Sequence, residues 1–195
     1  GHVRLDGSAL DQWAEAIRGQ YVGYLPQTVE LLEGTVAQNI SRFDPDGQIN
    51  PEAMSERVIA AARTAGVHDL IIGLPQGYDT PVGPGGETLP GGQCQRIGLA
   101  RALFGDPFLV VLDEPNANLD DEGESALVRA VQGLKAKGKT VVLISHRPGI
   151  VGVADRILIL HQGAVQASGP RDGVLAALQK QREAAQAALA PAAPV

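Results

Sequence analysis

The amino-acid sequence predicts an α/β fold with a largely parallel sheet. Two short apolar runs, FLVVL at 108–112 and TVVLI at 140–144, have the composition of strands that are buried on both faces. Helical patterns separate the strand-like runs, and strands that alternate with helices usually form one parallel sheet. The chain has 195 residues, of which 44% are apolar, and this is enough for a domain with a sizeable core. We therefore expect helices to cover both faces of the sheet.

Local signals divide the N-terminal half into short elements. The predicted elements are, in order, a strand in HVRLDG, a helix over 9–17, a strand over 21–25 and helices over 35–41 and 51–65. Pro26 ends the strand, because proline cannot donate to a sheet ladder. Asn50 is a favourable N-cap and Pro51 suits the first helical position, so the start of the last helix is well defined.

The C-terminal half alternates more regularly between helices and strands. The predicted elements are a glycine- and proline-rich loop over 77–92, a helix over 93–104, a strand over 108–113, a helix over 122–137, a strand over 140–145, a short helix after His146, a hairpin over 156–168 and a helix over 170–189. Gly105 ends the first of these helices. The hairpin turns at Gln162 and Gly163.

Composition excludes several classes of function. A net charge of −6 and a pI near 5.2 provide no basic surface for nucleic acid, which we therefore do not expect as a partner. With Cys94 as the single cysteine, the chain cannot form an internal disulfide, which fits a reducing compartment. No apolar run approaches the roughly 18–20 residues that a membrane span needs. The opening GHVRLDG lacks an initiator Met and a signal peptide, so we expect a piece of a longer polypeptide.

The stretch GLKAKGKT, residues 133–140, matches the phosphate-binding pattern G-x-x-x-x-G-K-[ST]. In that pattern Lys139 would reach the terminal phosphates and Thr140 would hold magnesium. The pattern works only between a strand and a following helix. Here a predicted helix precedes it and a predicted strand follows it. We interpret Gly138 as a helix stop and Lys139 as a solvated cation near a helix C-terminus.

Two adjacent carboxylates follow an apolar strand in FLVVLDEP, residues 108–115. Asp113 and Glu114 come at the carboxyl end of a predicted parallel strand, which is where such sheets bind ligands. Because successive side chains on a strand diverge, one carboxylate can serve a magnesium ion while the other faces an attacking water. Taken alone, the pair could equally be a polar strand terminus.

A glycine turn opens the helix that follows the loop. Its residues are Leu89, Pro90, Gly91, Gly92 and Gln93. The amides of the two glycines and the positive end of the helix form a natural cradle for phosphate oxygens, although a glycine turn before a helix is often only structural.

Three further polar residues follow strands or lie in the adjoining loop. His146 comes directly after the strand over 140–145, where an imidazole could hydrogen-bond a γ-phosphate or orient water. Gln27 follows the strand over 21–25 and offers an amide oxygen to a metal or water. Asp120 lies in NANLD, in the loop after the carboxylate pair.

Five motifs together resemble those of the ATP-binding-cassette ATPases and occur in that family's order. They are LPGGQCQRIGLARAL for the signature, FLVVLDEP for the second nucleotide-binding motif, NANLD for the D-loop, ISHR for the switch histidine and YLPQ for the glutamine loop. The resemblance implies a P-loop NTPase-like ABC ATPase domain over 1–175, with a helical signature subdomain at about 35–105. Residues 176–195 would add a C-terminal helix and an Ala/Pro tail.

The resemblance also implies cofactors and roles. ATP and Mg²⁺ would bind, with Asp113 and Gln27 near the metal, Glu114 as general base and His146 at the γ-phosphate. The other nucleotide contacts that it implies are Leu89, Pro90, Gly91, Gly92, Gln93 and Asp120. These would act across a head-to-tail homodimer. The family's phosphate-binding loop would precede Gly1, so the complete protein is expected to hydrolyse ATP and this chain alone is expected to be inactive.

Three stretches are most similar to the fused exporters of type I protein secretion: YLPQTVELLEGTVAQNISRF, VGPGGETLPGGQ and EPNANLD. That similarity implies a transmembrane domain in the same polypeptide, a periplasmic adaptor and an outer-membrane channel as partners. It places the domain at the cytoplasmic side of the inner (plasma) membrane.

Two residues depart from the family's pattern. Pro90 stands where the signature usually has serine, and Cys94 stands where a long polar or basic residue is usual. A catalytically impaired dimerisation module is therefore an alternative, which the intact Glu114 and His146 oppose. A DNA-repair or chromosome-maintenance ATPase is a weaker alternative, because heptad arms and basic surfaces are absent from the sequence.

Overall fold

The computed structural model describes residues 2–189, and they form the predicted α/β fold. The helices are α1 (Glu15–Tyr21), α2 (Val36–Ile40), α3 (Asp46–Ile49), α4 (Pro51–Thr64), α5 (His68–Ile72), α6 (Gly91–Leu103), α7 (Asp121–Ala136), α8 (Pro148–Val151) and α9 (Arg171–Leu189). The strands are β1 (Arg4–Leu5), β2 (Ser8–Ala9), β3 (Val22–Leu25), β4 (Gly34–Thr35), β5 (Pro81–Val82), β6 (Leu109–Asp113), β7 (Thr140–Ile144), β8 (Arg156–His161) and β9 (Ala164–Pro170). The Ala/Pro tail predicted for 190–195 lies outside the described residues.

The central sheet consists of three parallel strands in the order β3-β6-β7. Leu25 is opposite Leu112, and Asp113 is opposite Ile144. The strand after GLKAKGKT is therefore the neighbour of the strand that ends in Asp113. All three strands therefore point their carboxyl ends in the same direction.

The two faces of this sheet differ in exposure. On one face Leu25, Val110 and Leu112 are at most 1% exposed. On the other face, among the described residues, Tyr24 is 56% exposed and Val142 is 45% exposed. The expectation of cover on both faces was therefore wrong for the described part of the chain. An apolar run does not reveal which face is covered, and in β7 exposed and half-buried residues alternate.

A helical segment lies between β3 and β6 in the sequence. Its core is formed by buried side chains of α2, α4 and α6, among them Val36, Ile40, Val58 and Ile97. The predicted cap is confirmed, because the Asn50 side chain accepts a hydrogen bond of 3.1 Å from the Ala53 amide. The short helices α3 and α5 were not predicted, and α1 begins and ends later than the predicted helix over 9–17.

Arg42 connects the helical segment to the end of α6. Its backbone has a positive φ of 59°, and its guanidinium donates to the carbonyl oxygens of Arg101 (3.0 Å), Ala102 (3.1 Å), Phe104 (3.3 Å) and Gly19. Burial lowers the pKa of Arg42, yet a guanidinium keeps its charge in proteins. One cation therefore satisfies carbonyl groups at the C-terminus of α6 and within α1, where a helix needs partners.

The chain forms two compact units, and the boundary falls between Ile150 and Val151. The second unit contains the β8–β9 hairpin and α9. The hairpin turns at Gln162 (φ 49°) and Gly163 (φ 78°), as predicted, because a tight turn of this kind needs positive φ at both residues. The division at 175 and 176 stays a prediction. In the described part of the chain, no helix has the length and apolarity needed to cross a bilayer.

GLKAKGKT forms the C-terminus of α7 and the turn into β7. Gly138 has φ 72°. The Gly138 amide donates to the Lys135 carbonyl oxygen and the Lys139 amide donates to the Leu134 carbonyl oxygen, and these two bonds form a Schellman motif. The helix-stop interpretation is confirmed. Lys139 is not a solvated cation, however, because its side chain is only 15% exposed and its ammonium group contacts the Asp106 carboxylate (2.8 Å) and carbonyl oxygen (2.9 Å).

We expect Lys139→Ala to lower the free energy of unfolding by about 0.5–1.5 kcal/mol, because it removes these two charged hydrogen bonds while Asp106 stays mostly exposed. The resemblance implies that the complete protein binds ATP, and this binding should not change, because Lys139 precedes β7 whereas His146 follows the opposite end of that strand. Denaturant unfolding and calorimetry measure both quantities. Lys137→Ala, at an exposed position two residues earlier, is the matched control. Loss of ATP binding in Lys139→Ala alone would restore the phosphate-loop interpretation.

Candidate active site

The candidate site begins where β6 ends. Asp113 is the last residue of the strand, and the Glu114 amide still donates to the Ile144 carbonyl at 2.9 Å. Glu114 has φ 45°, which is rare for a residue with a side chain. The pairing with β7 thus continues to Glu114, where the backbone turns sharply.

Glu114 contacts His146 from the neighbouring strand's loop. The Glu114 Oε1 and the His146 Nδ1 are 2.8 Å apart. The Glu114 side chain is 17% exposed, whereas that of His146 is 82% exposed. In the tautomer that carries its proton on Nδ1, His146 donates to the carboxylate. The pair joins a sheltered carboxylate to an imidazole that reaches into solvent.

Gln27 lies at the same end of the sheet. It follows Leu25 by two residues, and Glu114 follows Leu112, the register partner of Leu25, by two residues. Its side chain is exposed. The Gln27 amide oxygen and the Asp113 carboxylate are oxygen donors of the kind that Mg²⁺ binds. The described residues contain no group of three His, Cys, Asp or Glu that could hold a metal. Mg²⁺ often binds through one or two protein oxygens and completes its shell with phosphate and water, and the two oxygen donors fit that kind of site.

Two buried polar residues that sequence reasoning missed support the loop after β6 and the loop after β7. Asn116, 1% exposed, accepts a 3.3 Å hydrogen bond from the Ser145 hydroxyl. Gln95, 2% exposed on α6, donates from Nε2 to the Pro115 carbonyl at 3.3 Å. No local pattern marks these residues, because they are brought together only by the sheet and α6.

The glycine turn lines a different feature, an open groove of about 1190 Å³. Pro90, Gly92, Gln93, Asn118 and Asp120 are among its lining residues. Glu114 and His146 are not. The structure thus brings the predicted residues together in two places rather than one.

Pro90 is the N-cap of α6. Its carbonyl accepts from the amides of Gln93 (2.9 Å) and Cys94 (3.1 Å), and its side chain makes no capping hydrogen bond. The helix begins at Gly91, two residues before the predicted start. Of the first three helical amides, those of Gly91 and Gly92 make no backbone hydrogen bond within the described residues and are free to bind an acceptor.

Leu89, Cys94 and Asp120 make contacts within the chain, and the predicted nucleotide contacts of Leu89 and Asp120 stay predictions. Leu89 is half-buried, and its carbonyl, like that of Gly86, is near the Cys94 thiol, at 3.7 Å and 3.6 Å. Burial raises the pKa of Cys94, so this thiol stays protonated and holds the glycine-rich loop against α6. Asp120 caps α7, because its carboxylate accepts from the Gly123 amide at 2.8 Å.

Comparison with known proteins gives a consistent picture. The family model described as ABC transporter matches residues 1–117. The chain is 55% identical over 175 residues to the type I secretion system ATP-binding protein PrsD of Rhizobium meliloti, covering 90% of this chain and 29% of that protein. It is 38% identical to the cyclolysin secretion/processing ATP-binding protein CyaB of Bordetella pertussis, covering 91% of this chain and 24% of that protein.

A solved structure is also similar over the whole chain. It is a bacterial Atm1-family ABC exporter with ATP bound, which superimposes with a TM-score of 0.79 at 30% identity. The match covers 100% of this chain and 33% of the exporter. The chain therefore spans about a third or less of the length of the proteins that it matches.

We expect Gly92→Ala to cost about 1–3 kcal/mol of folding free energy, because its Cβ would come within 2.7 Å of the Asn118 carbonyl oxygen. Gly91→Ala is the matched control, since the nearest atoms to its Cβ would be 4.0 Å away. Thermal unfolding of the two variants compares them directly. Equal melting temperatures would show that Asn118 does not restrict this position.

Proposed function

We propose that this chain, which belongs to the ABC transporter family, is the nucleotide-binding domain of an exporter that couples ATP binding and hydrolysis to transport. The predicted family and fold are confirmed by the family model and by the similarity to an ABC exporter structure. Because the chain spans only part of the length of its relatives, we also propose, rather than conclude, the hydrolysis of ATP, the transported cargo and the partners.

The contact between Glu114 and His146 carries the proposal. A carboxylate that is only 17% exposed, at the carboxyl end of a parallel strand, can accept the proton of a water that attacks the γ-phosphate. His146, at 2.8 Å and mostly exposed, can orient that carboxylate through Nδ1, and when Nε2 also carries a proton it can donate a hydrogen bond to the phosphate. Asp113 and Gln27 would hold Mg²⁺, which when bound neutralises charge on the phosphates.

The groove beside α6 supports a second nucleotide contact. The Gly91 and Gly92 amides and the positive end of this 13-residue helix favour an anion there. Because the groove and the Glu114–His146 pair are separate features, we propose that the groove receives ATP held by a second copy of the domain. A head-to-tail homodimer would then complete two sites.

The relatives support a role in type I protein secretion. Both PrsD and CyaB are named as secretion ATP-binding proteins. We propose that the complete protein has a transmembrane domain in the same polypeptide and works with a periplasmic adaptor and an outer-membrane channel. The domain would then lie at the cytoplasmic side of the inner membrane.

A catalytically impaired dimerisation module is the second candidate, and Pro90 favours it. Proline offers the groove neither a hydroxyl nor a backbone N–H. The same fold and groove could then bind nucleotide without efficient turnover. The two candidates differ in the ATPase rate of the complete protein.

In the complete protein, Glu114→Gln should reduce ATP hydrolysis by roughly 10²–10⁴-fold while nucleotide still binds, because glutamine keeps the size of the side chain but is not a base. Dimers should accumulate with ATP and magnesium, which size-exclusion chromatography in detergent can measure. Glu56→Gln, at an exposed position of α4, is the control. Wild-type turnover in Glu114→Gln would remove Glu114 from the mechanism.

Pro90→Ser should raise the ATPase rate of the complete protein by roughly ten- to a hundredfold, because the hydroxyl adds a hydrogen bond to the bound phosphate. Pro90→Ala, which restores the N–H but adds no hydroxyl, is the control. Serine at the N-cap should also be about 1 kcal/mol more stabilising than alanine. Steady-state kinetics and thermal unfolding separate these effects. Equal rates for the serine and alanine variants would show that the missing hydroxyl does not limit turnover.

A further inference from the structure

We propose that Ser145 and Asn116 form a positioning pair that holds Glu114 and His146 in their contact geometry. The inference rests on the proposed hydrolytic function and adds to it two residues that do not touch the nucleotide. Asn116 follows Glu114 by two residues, and Ser145 directly precedes His146. The pair therefore links the same two loops as the Glu114–His146 contact.

Asn116 is fixed in the interior. Its side chain is 1% exposed and accepts the Ser145 hydroxyl at 3.3 Å. The preceding carbonyl, that of Pro115, accepts from the buried Gln95 at 3.3 Å. The loop after Glu114 is thus held at two successive residues, by α6 at Pro115 and by the loop after β7 at Asn116, and the buried hydrogen bond from Gln95 is costly to break.

The Ser145 hydroxyl makes two hydrogen bonds next to His146. Its hydroxyl oxygen accepts from the Arg147 amide at 3.1 Å, and its proton is donated to Asn116. A hydroxyl that bonds to the amide two residues later closes a local turn, here around His146. The orientation of the His146 backbone is therefore set by a buried group on the neighbouring loop.

The exposure of His146 gives this arrangement its importance. With 82% of its side chain exposed, the imidazole has little packing to select one rotamer. This loop also makes an ion pair, from Arg147 to Glu124 at 2.7 Å, between side chains that are 45% and 38% exposed. Exposed ion pairs of this kind contribute little to stability. The bond between Ser145 and Asn116 is partly buried and ends on an Asn116 side chain that is 1% exposed, so it is a sheltered link between the two loops that carry the candidate base and its partner.

The test measures kcat and KM for ATP in the complete protein. Ser145→Ala should lower kcat roughly ten- to hundredfold with KM nearly unchanged, because misplacing a reacting group costs rate rather than nucleotide affinity. Ser145→Thr, which keeps the hydroxyl, should restore most of the rate. In a His146→Ala background, Ser145→Ala should cause a smaller additional loss, since the histidine is gone and only Glu114 is left to position. Ser125→Ala, at an exposed position of α7, is the control.

The outcomes separate this inference from the proposed function. An unchanged kcat in Ser145→Ala, or an equal loss in the wild-type and His146→Ala backgrounds, overturns the positioning pair while Glu114→Gln can still abolish hydrolysis. A complete protein that hydrolyses no ATP overturns both. If Ser145→Ala does not fold, Asn116→Leu removes the acceptor at similar size and should give the same loss of kcat, and a wild-type rate in that variant overturns the pair.

Discussion

The parallel pairing of β6 between β3 and β7 is the constraint on which the candidate site depends. It directs three strand ends the same way and thereby brings Gln27, Glu114 and His146 to one end of the sheet. Side chains alternate between faces along a strand, so a shift of one residue in this register would turn Glu114 away from His146. The chemistry of the site is in this sense a property of the sheet.

In the helical segment, the hydrogen bonds of Arg42 fix the position of α6, as the strand pairing fixes the position of the site residues. Four of its hydrogen bonds end on carbonyl groups of α1 and the C-terminal end of α6, so the loop after α2 fixes where α6 ends. The N-terminus of α6 carries the glycine turn, and Gln95 on the same helix holds the loop after Glu114. The groove and the sheet site therefore share one rigid element.

The structural elements that could be predicted from the sequence are those with strong local signals. The three parallel strands, the Asn50 cap and the Gln162–Gly163 turn agree with expectation because apolar runs, caps and turns are encoded by neighbouring residues. The short helices α3 and α5, and the exposed face that includes Tyr24, depend on tertiary packing and left no such signal. The site shows the same division: the motifs marked Glu114 and His146, whereas Asn116 and Ser145 are matched only through contacts between loops.

The positive φ of Glu114 has a consequence for how this sequence could change. A left-handed backbone at a residue with a side chain costs on the order of 1–3 kcal/mol, and glycine or asparagine would relieve it. This conformational cost lowers the folding stability of a protein with glutamate at position 114. A variant library sorted only for thermal resistance would drift toward glycine or asparagine at 114, and it would discard the carboxylate as its members became more robust.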